Sequence, residues 1–317
     1  MSHPAPDVEL GSLAQAFSDL RLGDPVGLMR LDGGNSRVFR VDLAGGNAVI
    51  LKTYERDFVL PRKEAYASSL LADLDLPFTR FLAIDESLSR LPFRFAITNY
   101  LPGVSVDQLK GEPDVEDLYH QMGVMLRQLH SVKMPGYGRF DATGILSAQA
   151  TNAEYIDGLA QDAFRTFRHY GADAPLAQRL EAIVFTRLPA VVDSAGAVFA
   201  HDDFQPHNVL AQRGSDGRLL LTGLVDFGNA RATDPVFDLA KALFCSEHDA
   251  PGSTPHIRAG YGPIDHREPE MALWVYTLLH RVTMWNWLRS INVIPDGDEH
   301  GLIADLRAMA VSGIYGA

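Results

Sequence analysis

The segment FAHDDFQPHNVL, Phe199 to Leu210, brings His201, Asp202, Asp203, His207 and Asn208 close together in the chain. Carboxylate, imidazole and carboxamide groups at this spacing suit two chemistries. Read as His201-x-Asp203-x3-His207, they offer N and O ligands to a transition metal that could activate water, as in a metal-dependent hydrolase. Read as acid–base groups, Asp202, Asp203 and His207 offer side chains that could accept a proton from a substrate. A further carboxylate, Asp226, follows in LVDFGNA, and Asp234 and Asp238 follow in DPVFDLA. Upstream, Lys52 in VILKTY and Glu64 in PRKEAYAS supply a cation and an acid.

Elements that would position these groups can be read from the patterning. RVFRVDL and NAVILKTY, joined by the turn signal AGGN, predict a β-hairpin over Arg37 to Tyr54. RKEAYASSLLADL has a helical period, with Ala65, Leu70, Leu71 and Leu74 able to share a face, and Pro77 ends it. RFAITNYL is β-prone and closes at PGVS. The pattern then becomes mostly helical: VEDLYHQMGVMLRQLHSV places Leu118, Met122, Met125, Leu126 and Leu129 at three-to-four spacing, and 153–191 and 270–290 read similarly. KMPGYGRFDATG and DAPGSTPHIRAGYGP read as Gly/Pro-rich connections. These shifts predict a small sheet-rich lobe over 1–98, a connector over 99–103 and a larger helical lobe over 104–317.

Inside the helical part, NVLAQ and LLLTGLVDF flank the turn RGSDGR and predict a second hairpin from Asn208 to Phe227. His201 to Asn208 then lie on the loop entering it and Asp226 on the loop leaving it. Both polar clusters meet at one end of that hairpin.

The ordered pair of motifs, His201-x-Asp203-x4-Asn208 and then Asp226-Phe227-Gly228, matches the catalytic loop and metal-binding motif of protein kinases. More closely, HDDFQPHNVL followed by LVDFGNARATDPVFDLAKAL resembles the aminoglycoside phosphotransferase and choline kinase-like superfamily of small-molecule kinases. The family pattern is His-Gly-Asp-x4-Asn, then Ile-Asp-Trp/Phe-x-x-Ala, then Asp-Pro-x-x-Asp-Leu-Ala. The resemblance runs from about Leu28 to the final helices and is most specific across 199–240. In it, Gly33, Gly34, Asn35 and Ser36 fall in the phosphate loop, Lys52 at the phosphate-binding lysine and Glu64 at the helix acid that pairs with it.

The resemblance implies an α+β, two-lobed protein-kinase-like fold and an ATP-dependent phosphotransferase, with GTP as the alternative nucleotide. Adenine would lie at the connector near Asn99 and Leu101, Mg²⁺ on Asn208 and Asp226, and the acceptor hydroxyl on Asp203. His201 would organise the loop, while Asp234 and Asp238 would brace and cap. Two positions depart from the pattern: Asp202 stands where the family has glycine, and His207 where glycine is common. Asp202 would face solvent, form a structural bond or hold a cationic substrate. A catalytically dead kinase fold would be expected to have lost Lys52, Asp203 or Asp226, and all three are present.

Composition narrows the partners. The net charge of −12 argues against nucleic acid, whose phosphates need clustered Lys and Arg. That charge divides into net −2 over residues 1–99 and net −10 over 100–317. An acidic C-terminal half would attract a cationic amino-sugar or amino-alcohol. The wider resemblance admits aminoglycosides, choline-like alcohols, homoserine, sugars, methylthioribose and macrolides. Glu247, Asp249, Glu268, Glu270, Trp274, Tyr276, Trp285 and Trp287 offer charge and aromatic surface, although helical spacing also fits the aromatic ones as core. No long apolar run or basic leader is evident, so neither a membrane nor export is expected. The single cysteine, Cys245 in LAKALFCS, reads as a buried thiol in a cytoplasmic protein, monomeric or homodimeric.

Overall fold

A computed structural model describes residues 8–31, 37–54, 61–295 and 301–312. In chain order its elements are α1 (Leu10–Asp19), β1 (Pro25–Leu31), β2 (Val38–Leu43), β3 (Ala48–Tyr54), α2 (Pro61–Ser69), β4 (Phe81–Asp85), β5 (Arg94–Asn99), β6 (Val104–Ser105) and α3 (Val115–Leu129). There follow β7 (Tyr137–Phe140), β8 (Ile145–Gln149), α4 (Asn152–His169), α5 (Ala174–Val191), β9 (Val198–Ala200), β10 (Val209–Arg213), β11 (Leu219–Leu224) and β12 (Arg231–Thr233). The chain ends in α6 (Pro235–Asp249), α7 (Thr254–Tyr261), α8 (Pro269–Ser290) and α9 (Gly301–Ser312). This is the mixed α+β architecture expected, rich in strands first and in helices later.

The chain divides into two compact units. The first comprises 1–109, 140–144 and 207–229, so the hairpin β10–β11 belongs with the N-terminal strands although it lies far along the sequence. Its main sheet has the order β1-β2-β3-β5-β4. β2 pairs antiparallel with β3 from Val38 opposite Lys52 to Asp42 opposite Ala48, the hairpin that the AGGN turn predicts. Alternation along β3 buries Val49, Leu51 and Thr53, while α1 adds Leu13, Ala16 and Phe17 to the same core. α1 precedes everything the family resemblance covers. A second sheet, β11-β10-β6, ties Val104 and Ser105 to the hairpin.

The helical period after Pro61 ends earlier than the sequence suggests. α2 stops at Ser69, and Leu71, Ala72 and Leu74 donate to carbonyls three residues back, the tightened turns of a fraying end. Its inward face carries Pro61, Glu64, Ala67 and Ser68, continued by Leu71, rather than Ala65, Leu70 and Leu74. A carboxylate occupies an apolar slot because a lysine lies opposite it.

The second unit comprises 110–139, 145–206 and 230–317. Leu118, Met122, Met125, Leu126 and Leu129 of α3 are buried as their spacing predicts. Both stretches that read as connections contain structure. Tyr137–Phe140 forms β7 because β12 offers it an edge, with Gly138 opposite Ala232. HIRAGY lies in α7: Gly260 and Gly123 allow its backbone and that of α3 to touch, since a Cβ on either would overlap the other helix's carbonyls at His120 and Ile257. Those glycines serve a helix crossing, not a turn. No helix among the described residues is long and apolar enough to cross a membrane.

Candidate active site

In the first unit, Lys52 points from β3 towards α2, where Glu64 is fixed on the inner face. Lys52 Nζ donates to both Glu64 oxygens at 2.9 Å and to Asp226 Oδ1 at 3.2 Å. The Glu64 side chain is 3% exposed and that of Asp226 49%. Burial lowers the pKa of Lys52, but Glu64 and Asp226 more than offset it, and the lysine stays protonated. For Glu64, burial pushes the carboxyl up and Lys52 pulls it back.

Asp226 leaves β11 in a left-handed conformation, φ 65°, which aspartate tolerates better than most residues. Phe227 behind it is buried and meets Phe78 edge-on, with ring centroids 6.3 Å apart. Lys63 donates to the Gly228 carbonyl at 2.6 Å, and the Asn208 carbonyl accepts from Val225 N–H at 2.9 Å. The hairpin thus brings the Asn208 and Asp226 ends of the two loops together, as the sequence predicts.

In the segment expected to be the connector, the Asn99 side chain braces the chain before β4, accepting from Arg80 N–H at 2.6 Å and donating to the Phe78 carbonyl at 3.3 Å. Its own N–H is committed to the Arg80 carbonyl at 3.1 Å. Leu101 lies over Gly223 of β11, where a Cβ would come within 3.0 Å of Leu101 Cδ1. His207 Nε2 is 3.4 Å from Asp107 Oδ2, with its side chain 55% exposed. Gly33, Gly34, Asn35 and Ser36 lie outside the described residues.

In the second unit, β9 delivers the chain into His201, Asp202 and Asp203. Asp238, near the start of α6, accepts from His201 N–H at 2.9 Å and Asp202 N–H at 2.8 Å. His130 Nε2 lies 3.1 Å from the same carboxylate, and His130 Nδ1 is 2.8 Å from the Tyr261 hydroxyl. Burial pushes Asp238 up, yet bonding to His130 and the loop amides holds it below the usual carboxylate range. Asp234 caps α6, accepting from Val236 N–H at 2.6 Å. Both acids therefore have the bracing and capping geometry expected of them, and Asp238 also fixes the loop backbone. His130 and Tyr261 have no motif to announce them; the one hint is the histidine at the end of an amphipathic helix.

His201 is fully buried and meets Phe204 edge-on at 6.2 Å. Asp202 is 3% exposed and forms an ion pair with Arg231, so of the three positions expected for it the structure has the structural bond. Glu247 is likewise engaged, accepting from the N–H groups of Gly252 and Thr254, and Glu270 accepts from Arg258 at 3.0 Å. Tyr276 and Trp285 are core residues, whereas Trp287 is 49% exposed. Among the described residues no group of three His, Cys, Asp or Glu side chains is placed to hold a metal ion. The hydrolase reading of His201, Asp203 and His207 therefore has no assembled ligand set behind it.

Solved structures of other proteins share this fold. Aminoglycoside phosphotransferase APH(4)-Ia, as a thermostable mutant with ADP and hygromycin B, is 20% identical with a TM-score of 0.68, covering 95% of this chain and 97% of its own. A choline/ethanolamine kinase family protein from Mesorhizobium loti is 17% identical with a TM-score of 0.64, covering 96% and 95%. APH(2")-IIIa with GDP and kanamycin is 16% identical with a TM-score of 0.62, covering 96% and 98%. Among curated proteins none matches the sequence. The model of the phosphotransferase enzyme family matches residues 27–273, and with the kinase-like fold and the ordered motifs already in place, this chain belongs to that family.

Proposed function

We propose that the protein transfers the γ-phosphoryl group of ATP to a hydroxyl of a small molecule. The observation that carries this reading is the Lys52 ammonium, pinned by buried Glu64 at 2.9 Å and reaching half-exposed Asp226 at 3.2 Å. A polyanion needs a fixed cation, and a hard divalent ion needs an accessible carboxylate. The donor set fits a magnesium nucleotide: Glu64 is buried and given over to Lys52, while Asp226 keeps carboxylate surface exposed.

Lys52 would hold the α/β-phosphates, with Gly33, Gly34, Asn35 and Ser36 as the phosphate loop. Asn208 and Asp226 would hold Mg²⁺, which would offset negative charge on the transferring group. Adenine would lie at the connector. Asn99 N–H is already committed within the protein, so Leu101 is the better backbone partner, with its side chain over Gly223. Asp203 would accept a hydrogen bond from the acceptor hydroxyl and align it with the phosphorus. The transition state is loose, so positioning is its main task.

The surplus of −10 after residue 99 favours a cationic acceptor, an amino-sugar or amino-alcohol. Asp202, Glu247 and Glu270 contribute to that surplus but are engaged internally, so the attraction would be a long-range field rather than contact with these three. The test is ADP or GDP release from Mg-ATP or Mg-GTP over kanamycin, hygromycin B, choline, ethanolamine, homoserine and neutral sugars, with Asp203→Ala as control. Turnover with amino-sugars or amino-alcohols, lost in the control, is the expected result. Turnover confined to neutral sugars would overturn the charge argument. Zinc retained at one equivalent through dialysis, with no nucleotide consumed, would overturn the kinase reading.

A further inference from the structure

We propose that Lys241 is a positioning residue for Asp203, and that Asp202 is present to hold it there; the proposal rests on the role given to Asp203 above. Four charged side chains, Asp202, Asp203, Arg231 and Lys241, gather where the catalytic loop passes the second turn of α6. Lys241 donates to the Asp202 carbonyl, and its ammonium lies 3.8 Å from Asp202 Oδ1 and 3.6 Å from Asp203 Oδ1. Arg231 pairs with Asp202 Oδ2 and donates to the Tyr155 hydroxyl at 3.1 Å. The Lys241 side chain is 15% exposed, that of Arg231 12%, that of Asp202 4% and that of Asp203 22%.

Two cations and two carboxylates in one enclosed cluster balance in charge. Remove Asp202, and Lys241 would face Asp203 alone, the carboxylate that the proposed reaction needs for the acceptor hydroxyl, while Arg231 would keep, among carboxylates, only its attraction to Asp238. With Asp202 present, Arg231 is paired with its own acid through one guanidinium nitrogen. Lys241 is tethered through a backbone carbonyl and shared between two carboxylates. Burial lowers the pKa of Lys241 but Asp202 and Asp203 raise it further, so the ammonium persists. An ammonium is a compact charge with three donors and no fixed fork, suited to touching a carbonyl and two carboxylates that are not coplanar.

The backbone agrees. Asp202 has φ 52°, a left-handed conformation in which glycine is unstrained and aspartate is not. A charged side chain kept at such a position, and buried, is held by its partners. The cluster therefore performs with a carboxylate and two cations what the family's glycine leaves undone: it fixes the direction from which positive charge reaches Asp203.

The test is a double-mutant cycle joined to steady-state kinetics. Thermal unfolding is measured for the wild type, Lys241→Met, Asp203→Asn and the double variant, with Lys241→Gln in place of Met should the latter not fold. Coupling is expected: the double variant should melt more than about 3 °C above the sum of the single effects. Additive shifts would overturn the proposal. This arm needs no turnover, so it separates failure of the inference from failure of the phosphotransferase reading, which would show as no ADP release by the wild type with kanamycin, hygromycin B, choline or water.

Kinetically, Lys241→Met should lower kcat at least about tenfold while KM for Mg-ATP stays within about twofold, the pattern of a lost transition-state interaction. Lys241→Arg, which keeps the charge, should recover most of that loss. A rise in KM for ATP as large as the fall in kcat, or an Arg variant no better than Met, would make Lys241 merely structural. Asp202→Gly supplies the converse: although glycine suits φ 52°, the variant should melt lower than wild type and lose kcat. A higher Tm with unchanged kcat would overturn the claim that Asp202 holds Lys241.

Discussion

Lys52 and Glu64 form a buried, symmetric ion pair: the ammonium is 2.9 Å from each carboxylate oxygen, and the carboxylate has 3% of its side chain exposed. Strand alternation puts Lys52 on the face of the sheet opposite Val49, Leu51 and Thr53, and the helical period of α2 puts Glu64 on the side that meets it. The Ser68 hydroxyl, one turn on, donates to the Thr79 carbonyl at 2.5 Å and helps hold that face in place.

Breaking this pair should be costly and pH-dependent. Lys52→Met leaves a buried carboxylate without its cation, a change worth about 3–5 kcal/mol in such settings. Glu64 already has its pKa raised by burial, and without Lys52 the opposing pull is gone. An acid whose folded pKa lies above the unfolded value of about 4.3 contributes its full stability below that value and loses it as pH rises through the folded pKa. The Tm deficit of Lys52→Met should therefore widen from pH 5 to pH 8. In the wild type the pair persists across that window, because the contribution of Lys52 fades only in strongly alkaline solution. Thermal melts at the two pH values check this; a constant deficit would mean Glu64 does not titrate there.

Asp203 and Asp226 should separate chemistry from binding. Asp203→Ala should lower kcat by about 10²-fold or more and leave the Kd for Mg-ATP unchanged, since its proposed task is to orient the acceptor. Asp226→Ala removes a carboxylate from both Lys52 and the proposed metal site, and should weaken Mg-ATP binding by about tenfold or more, roughly 1.4 kcal/mol. Isothermal titration of each variant with Mg-ATP distinguishes them. Near-normal turnover by Asp203→Ala would overturn its assignment.

Most of this arrangement was legible in the sequence where a local pattern carried it. The hairpins at 37–54 and 208–227 had turn signals and β-prone flanks, and α3 had an unbroken apolar stripe. What escaped depends on contacts between segments distant in the chain. α7 is masked by prolines and glycines, because Gly260 is required by its crossing with α3 rather than by a turn. β7 is a short strand that exists by pairing with β12. The inner face of α2 was misplaced because its key side chain is charged, and hydrophobic periodicity does not register a glutamate buried against a lysine. The destination of Asp202 was likewise invisible, since Arg231 and Lys241 become its partners only when the loop folds beside α6.

Gly103 supplies a backbone test of the connector. Its φ is 110°, and a Cβ there would overlap the Ala211 carbonyl and come within 2.8 Å of Thr222 Oγ1, the hydroxyl that donates to the Pro102 carbonyl. Gly103→Ala thus combines an unfavourable dihedral with a backbone clash between the connector and β10. It should destabilise by about 1–3 kcal/mol and also raise the KM for ATP, because the same movement displaces Leu101 from Gly223. Urea denaturation and a nucleotide titration check the two effects, and wild-type values in both would show that the connector can shift freely.

Asp238 should prove to be the keystone of the His201–Asp203 loop, with an acid-side signature. Its two oxygens accept the N–H groups of His201 and Asp202, and His130 reaches the same carboxylate. In Asp238→Asn one oxygen becomes an NH₂ group that cannot accept, so at least one buried loop amide loses its partner, at about 1–3 kcal/mol. The carboxyl is held below the usual range, so its contribution is present above the unfolded pKa of about 3.9 and is lost as pH falls through the folded value. The Tm gap between wild type and Asp238→Asn should therefore be full at pH 6 and narrow as pH drops below about 4. The variant should also lose kcat, because the amides it releases flank the turn that presents Asp203. A gap that stays constant down to acid denaturation would show that the carboxylate charge is not what holds the loop.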